Sequence, residues 1–143
     1  MAIMTSAPRL SPRQAASLPG PRNTAMIAYL RDIVLAPPVR HERGHAIFLD
    51  ADRGWIGDAP CGIGTLTALT LRMRALLGEA LRHNAAGLIL AHSHPSGHCR
   101  PSGCDIAATR RLAEVAAALD IALVDHLIFT TDAVYSMRAG GLM

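Results

Sequence analysis

The sequence contains no lysine, and aromatic residues make up only 3% of its 143 positions. All 14 basic residues are therefore arginines, and they are scattered along a chain whose formal net charge is +3. A charge this weak and dispersed does not by itself indicate a nucleic-acid-binding surface. Half of the residues are apolar, so we expect one domain of ordinary size with a mainly aliphatic core.

Long apolar runs are also absent, because arginine, histidine or aspartate interrupts each one well short of the ~20 residues needed to cross a bilayer. The N-terminal segment lacks the apolar core, about 7–15 residues long, of a secretory signal. The sequence therefore predicts a cytoplasmic protein without a membrane partner. Residues 1–22 carry serine, proline and arginine without periodicity, and we expect a disordered leader there before one domain at 23–143.

Cysteine is scarce, with Cys61, Cys99 and Cys104 as the only examples. An odd number without framework spacing predicts free thiols in a reducing compartment. Cys99 and Cys104 lie within the histidine-rich stretch described below. An alternative that stays open is a structural zinc site in which Cys99 or Cys104 is the last ligand.

Hydrophobic periodicity predicts alternating helices and strands, which is typical of an α/β domain. The strand at 86–91 is apolar on both faces and is predicted to be central in the sheet. The other predicted elements are a helix from Asn23 to the prolines at 37–38, a hairpin of strands at 44–50 and 55–57, an irregular glycine-rich segment at 58–64, a helix at 66–82, a helix at 105–119, a strand at 121–129 interrupted by Asp125, and a short strand at 134–137. The two later helices are predicted to bury Leu69, Met73, Leu76, Leu77 and Leu81 in the first, and Ile106, Leu112, Ala116 and Leu119 in the second.

Two histidines follow the apolar part of the central strand, and their spacing predicts a metal site. His92 and His94 are two residues apart, so on an extended strand their imidazoles point to the same face. After a turn rich in proline, glycine and serine, Asp105 can return a carboxylate to the same point. Two imidazoles and one carboxylate leave a fourth tetrahedral position open, as catalytic zinc sites do. We predict one zinc ion bound by His92, His94 and Asp105, with iron or manganese as the alternative ions.

Asp105 also has a structural alternative. Ser102 and Asp105 stand three residues apart before an apolar helix, which is a capping-box pattern with Ser102 as the N-cap. The two interpretations are compatible if Ser102 caps the helix through its backbone position while its hydroxyl faces the site. His98, on the intervening turn, is expected to face solvent.

The whole spacing, His-x-His-x7-Ser-x2-Asp, resembles the JAMM (MPN+) metalloprotease motif. The residues His-Pro-Ser-Gly at 94–97 and Pro-Ser at 101–102 are similar to the version of this domain in the bacterial RadC family. Ser93 departs from that family, whose sequences commonly have asparagine between the two histidines. The resemblance runs from about residue 23 to the C-terminus. It implies a three-layer JAB/MPN-like (cytidine-deaminase-like) fold with a mixed central sheet flanked by helices.

The resemblance also implies a zinc-dependent hydrolase of amide bonds, a peptidase or isopeptidase acting on a peptide or protein. In the JAMM pattern the general base is a glutamate at the start of an early apolar strand, and Glu42 immediately precedes the first strand here. Glu79 and Glu114, the other glutamates, are expected to be solvated helix residues. By this resemblance Glu42 is the catalytic base and Ser102 helps to stabilise the tetrahedral oxyanion. The alternative for Glu42 is an exposed acid paired with the basic residues beside it.

A second hypothesis comes from the DNA-repair label attached to the RadC family, namely a non-proteolytic module associated with DNA repair or mobile DNA. Full-length members carry a helix–hairpin–helix type module before this domain, and we expect none within the 22 residues that precede the domain here. His126, which follows Asp125, matches a recurrent Asp-His pair near the C-terminal strands of the family. A buried hydrogen-bonding role and a catalytic role for His126 are both open.

Overall fold

The structure is a computed structural model that describes residues 24–38, 40–63 and 72–143. The described residues form three helices and five strands. In chain order these are α1 (Thr24–Val34), β1 (Arg43–Leu49), β2 (Trp55–Ile63), α2 (Met73–Arg82), β3 (Gly87–Ser93), α3 (Gly103–Ala118), β4 (Ala122–Phe129) and β5 (Val134–Ser136). No helix in these ranges is long and apolar enough to cross a bilayer.

The five strands form one mixed sheet in the order β2-β1-β3-β4-β5. The pair β3–β4 is parallel, and the other three pairs are antiparallel. Two parallel neighbours need a crossover connection, and α3 provides it between β3 and β4. Every residue of β3 is buried, which confirms the predicted central strand and extends it to Ser93.

Helices cover both faces of the sheet, which confirms the predicted three-layer α/β architecture. One apolar core lies between α1 and the sheet, and it contains Met26, Leu30, Val34, Ile47, Leu49, Trp55, Ile89, Ala91, Leu127 and Phe129. The other core lies between the sheet and the helices α2 and α3, and it contains Ala46, Phe48, Cys61, Leu76, Leu77, Ala80, Leu88, Leu90, Leu112, Ala116, Ile121 and Leu123. Phe48, Trp55 and Phe129 are the only large aromatic residues among these, so both cores are mainly aliphatic, as predicted.

Two residues that were predicted to be buried are exposed, and Met73 and Ile106 are only half-buried. Leu81 is 54% exposed and Leu119 is 41% exposed. The face of α2 against the sheet is set by residues 76, 77 and 80, and Leu81 is turned about 100° past Ala80. Leu119 follows the last residue of α3 and is its C-cap. Leu69 and the start of the predicted helix at 66–82 lie outside the described residues, as do Asn23 and the predicted leader at 1–22.

The prediction of an irregular segment after the hairpin is wrong for 58–63, because β2 continues to Ile63. Its backbone pairs with β1, with Asp58 opposite Ile47 and Pro60 opposite His45. Proline is tolerated because β2 is an edge strand of this sheet. Asp125 likewise does not interrupt β4, where the shift in register to β3 falls at Val124 instead.

Candidate metal centre

The two histidines converge at the end of β3, as predicted. His92 is 5% exposed, and His94 directly follows the strand, where its amide N–H donates to the Phe129 carbonyl at 2.9 Å. The Nε2 atoms of His92 and His94 are 2.9 Å apart. Their rings lie edge to face with centroids separated by 4.7 Å.

The orientation of the His94 ring is set by the turn that follows it. His94 Nδ1 lies 2.7 Å from the carbonyl oxygen of His98. Because a carbonyl only accepts, Nδ1–H donates this bond, and the Nε2 lone pair of a neutral ring then points at His92. The His98 side chain is exposed, as predicted. The contact of its backbone carbonyl with His94 could not be predicted, because any residue at this position has the same carbonyl.

The facing nitrogens need a proton or a metal ion between them, since two bare lone pairs at 2.9 Å repel each other. A proton or a metal ion between them removes that repulsion. The pKa of His94 is raised above its usual value, chiefly by the Asp105 carboxylate. Burial opposes this increase, whereas the His98 carbonyl and the charge of Glu42 add to it.

Asp105 brings a carboxylate to the same two nitrogens from the first turn of α3. It is fully buried, with Oδ1 3.5 Å from His92 Nε2 and Oδ2 3.3 Å from His94 Nε2. Burial alone would raise the pKa of Asp105, but the two imidazoles and the Ser102 amide outweigh it and hold the pKa well below its usual range. Within the described part of the chain, Oδ1 is a buried oxygen with no hydrogen-bond partner.

Ser102 confirms the capping-box alternative without removing Asp105 from the site. Ser102 Oγ accepts the Asp105 amide N–H at 3.0 Å, and Asp105 Oδ2 accepts the Ser102 amide N–H at 2.6 Å. The cap is made by the hydroxyl oxygen of Ser102, and not by its backbone position alone. The hydroxyl proton is still available to donate. The cap leaves Asp105 Oδ1 directed at His92.

Glu42 lies at the rim of the same cluster, just before β1. The pairing of Gly44 with His92 brings the start of β1 to the end of β3. Glu42 Oε1 is 3.8 Å from His94 Nε2, and its side chain is 29% exposed. One ligand atom from each of Glu42, His92 and His94 lies within 4.8 Å of the others, so this group could hold a metal ion.

The other two glutamates and the three cysteines do not belong to the group of possible metal ligands found among the described residues. Glu79 pairs with Arg82 on α2 and Glu114 is exposed on α3, as predicted. In the described ranges, the ion pair of Glu42 is with His94 and not with a neighbouring arginine. All three cysteines are free, and burial raises the pKa of the Cys61 thiol to about 12. The grouping of possible metal ligands found among the described residues contains no cysteine.

Behind His92 lies a buried polar network. His92 Nδ1 is 2.6 Å from His126 Nε2, and His126 Nδ1 is 2.7 Å from Thr109 Oγ1. Both Thr109 and His126 are fully buried, and burial lowers the pKa of His126 well below its usual value. His126 thus has the buried hydrogen-bonding role that was one of its two alternatives. Thr109 was missed, although a threonine four residues after Asp105 on the buried face of a helix is a recognisable signal.

Comparisons with known proteins agree with this fold. The RadC-like JAB domain family matches residues 22–142. A UPF0758 protein of Bordetella petrii is 38% identical over 135 residues, which are 94% of this chain and 57% of that protein. UPF0758 proteins of Bordetella bronchiseptica and Paraburkholderia xenovorans are 45% and 42% identical over 96 residues, which are 67% of this chain and 43% and 38% of those proteins. The chain thus spans about half the length, or less, of these curated relatives. Because the family match covers most of the chain, from residue 22 to residue 142, the chain belongs to the RadC-like JAB domain family.

Proposed function

We propose that this protein is a zinc-dependent hydrolase of amide bonds, of the peptidase or isopeptidase type. The observation that carries the proposal is the meeting of three side chains, His92, His94 and Asp105. The two Nε2 atoms are 2.9 Å apart, and each lies 3.3–3.5 Å from one oxygen of the Asp105 carboxylate. Asp105 Oδ1 is buried without a hydrogen bond from the described residues, which is costly unless a cation compensates it. Folding alone gives no reason to bury this set of groups.

The donor set fits a catalytic zinc ion. Two imidazole nitrogens and one carboxylate oxygen are ordinary zinc ligands, and three protein ligands leave one position for water or substrate. Zinc bound there would lower the pKa of water towards ~7 and polarise a substrate carbonyl. Iron and manganese accept similar donors, so the identity of the ion is a matter for elemental analysis.

We assign Asp105, rather than Glu42, as the third ligand. Asp105 is 0% exposed, contacts both histidines and is fixed by the Ser102 amide. Glu42 approaches only His94, at 3.8 Å, and its side chain is 29% exposed. A general base must exchange its proton with solvent or with the leaving group, and a partly exposed carboxylate at the rim of the site can do so.

The proposed reaction uses Glu42 and Ser102 in separate roles. Glu42 takes a proton from the attacking water as the new C–O bond forms, and passes it to the amine as the C–N bond breaks. Ser102 retains a hydroxyl proton after capping α3, and donates it in a hydrogen bond to the oxyanion of the tetrahedral intermediate. The substrate is a peptide or protein, since these supply the amide bond.

The test is Glu42→Gln, which keeps the shape of the side chain and removes its basicity. The probes are a quenched-fluorescent peptide mixture and a reporter in which a C-terminal carboxyl is joined to a lysine ε-amine. We expect Glu42→Gln to bind zinc as the wild type does and to lose about 10²-fold or more of the cleavage rate, the usual contribution of a general base. Glu114→Gln is the matched control, because Glu114 is exposed on α3.

Unchanged cleavage by Glu42→Gln would contradict the assigned base. Cleavage of neither probe by zinc-loaded wild-type protein would contradict the hydrolase itself. The nucleic-acid-associated alternative stays a prediction, and DNA binding that weakens steeply with salt would favour it.

A further inference from the structure

A continuous line of buried hydrogen bonds connects α3, β4 and β3 behind the candidate metal centre. It begins at the backbone carbonyl of Asp105, which lies 2.6 Å from Thr109 Oγ1. It continues from Thr109 Oγ1 to His126 Nδ1 at 2.7 Å and from His126 Nε2 to His92 Nδ1 at 2.6 Å. Thr109 and His126 are both 0% exposed.

The register of the sheet brings His126 beside His92, and the periodicity of α3 places Thr109 on the same side of the helix as Asp105. β3 and β4 are parallel, with His126 opposite Leu90 and Ile128 opposite His92, so the His126 and His92 rings lie on one face with centroids 4.7 Å apart. Thr109 is one helical turn after Asp105 on the buried face of α3. Each end of the line is thus a residue of the proposed metal site.

The direction of each hydrogen bond follows from what each atom can do. The Asp105 carbonyl only accepts, so the single Thr109 hydroxyl proton must point at it. Thr109 Oγ1 therefore accepts from His126, and the proton of that ring is on Nδ1. His126 Nε2 is then an acceptor in the uncharged ring, and the proton between the two rings belongs to His92 Nδ1. His92 Nε2 is left with its lone pair facing His94.

From this line of contacts we infer that Thr109 and His126 are positioning residues that fix His92 in the tautomer able to bind metal through Nε2. The inference rests on the proposed metal site and deepens it. A histidine ligand usually donates its second ring N–H to a carboxylate, a backbone carbonyl or water. Here the fully buried His126 accepts that N–H from His92. The Thr109 hydroxyl determines which ring nitrogen of His126 carries the proton.

The test replaces Thr109, because it contacts His126 but is two hydrogen bonds away from His92 Nδ1. Thr109→Val keeps the shape and removes the acceptor that holds the His126 proton on Nδ1. No partner then selects between the two proton positions of His126, and His92 is expected to populate both tautomers. Thr109→Ser keeps the hydroxyl and is the matched control.

Two measurements on the full chain separate a positioning role from simple core packing. Long-range ¹H–¹⁵N NMR of the metal-free protein reports the tautomer of His92 directly. Competition with a chromophoric chelator reports the dissociation constant for zinc. We expect the Nδ1–H tautomer of His92 in the wild type and in Thr109→Ser. In Thr109→Val we expect a tautomer mixture and a dissociation constant raised about 10–100-fold, the usual effect of losing such a partner.

Wild-type His92 protonated on Nε2 would overturn the inference, and this measurement does not depend on any variant folding. Thr109→Val with the wild-type tautomer and wild-type zinc affinity would overturn it as well. An equal loss of affinity in Thr109→Ser and Thr109→Val would do the same, because the hydroxyl would then be irrelevant. If the wild type binds no zinc at all, the proposed function fails first, and the inference that rests on it fails with it.

Discussion

Ser102 and Asp105 hold each other across the first turn of α3, with each amide N–H donating to the side chain of the other at 2.6 and 3.0 Å. This reciprocal pair satisfies amide groups that a helix start otherwise leaves unpaired. It also fixes the Asp105 carboxylate, so that its second oxygen lies 3.5 Å from His92 Nε2. The start of the helix and the candidate metal centre are therefore one structural unit.

Ser102 consequently has two separable roles, in stability and in turnover. Ser102→Ala is expected to lower the free energy of unfolding by about 1 kcal/mol, whereas Ser102→Gly should lower it by only about a few tenths of a kcal/mol, because glycine is a good N-cap. Both variants lose the hydroxyl donor and should lose about 10²-fold in cleavage rate. Chemical denaturation and the fluorescent peptide assay measure the two effects.

Comparing Ser102→Ala with Ser102→Gly separates the capping role of Ser102 from its role in turnover. If Ser102→Gly cleaves as fast as the wild type, Ser102 is a cap alone and has no part in stabilising the oxyanion. If neither variant is less stable than the wild type, the hydroxyl contributes nothing to the stability of the start of α3.

Gly57 and Gly78 offer a second pair of variants, which tests how β2 and α2 pack. A Cβ at Gly57 would lie 2.6 Å from His83 Nε2. The His83 ring cannot easily move, because its Nδ1 is 2.8 Å from the Glu79 carbonyl and its face packs against Phe48 with centroids 4.7 Å apart. We expect Gly57→Ala to lower the free energy of unfolding by about 1–3 kcal/mol.

Gly78→Ala is the control, because a Cβ there meets no atom within 4 Å and Gly78 lies inside α2. It should raise the free energy of unfolding by about 0.5–1 kcal/mol, since alanine loses less backbone entropy in a helix. Urea denaturation of both variants measures the difference. A Gly57→Ala variant as stable as the wild type would mean that β2 does not pack this closely on His83.

The central part of the site could be predicted from the sequence because it depends on local geometry. β3 is apolar on both faces, and two histidines two residues apart at its end must share a face. Asp105 could be placed because the capping box marks where α3 begins. The choice of Glu42 as the base depended on the family resemblance. In the structure, the pairing of β1 with β3 brings Glu42 Oε1 to 3.8 Å from His94 Nε2.

The parts that could not be predicted depend on contacts between distant segments. The contact of Thr109 with His126 requires the packing of α3 on β4, and the contact of His126 with His92 requires the register of β3 with β4; no local pattern contains either. The continuation of β2 to Ile63 depends on backbone pairing with β1 and overrides its glycine and proline content. The exposure of Leu81 depends on which face of α2 meets the sheet.

The most direct test of the whole account is the metal content of the purified protein, measured by elemental mass spectrometry beside His92→Ala/His94→Ala. Cys99→Ser/Cys104→Ser is the control, since it tests whether a cysteine completes a structural zinc site. We predict about one zinc ion per chain in the wild type and in the cysteine variant, and none in the histidine variant. Equal metal in the histidine variant, or no metal in the wild type after reconstitution with zinc, would contradict the account.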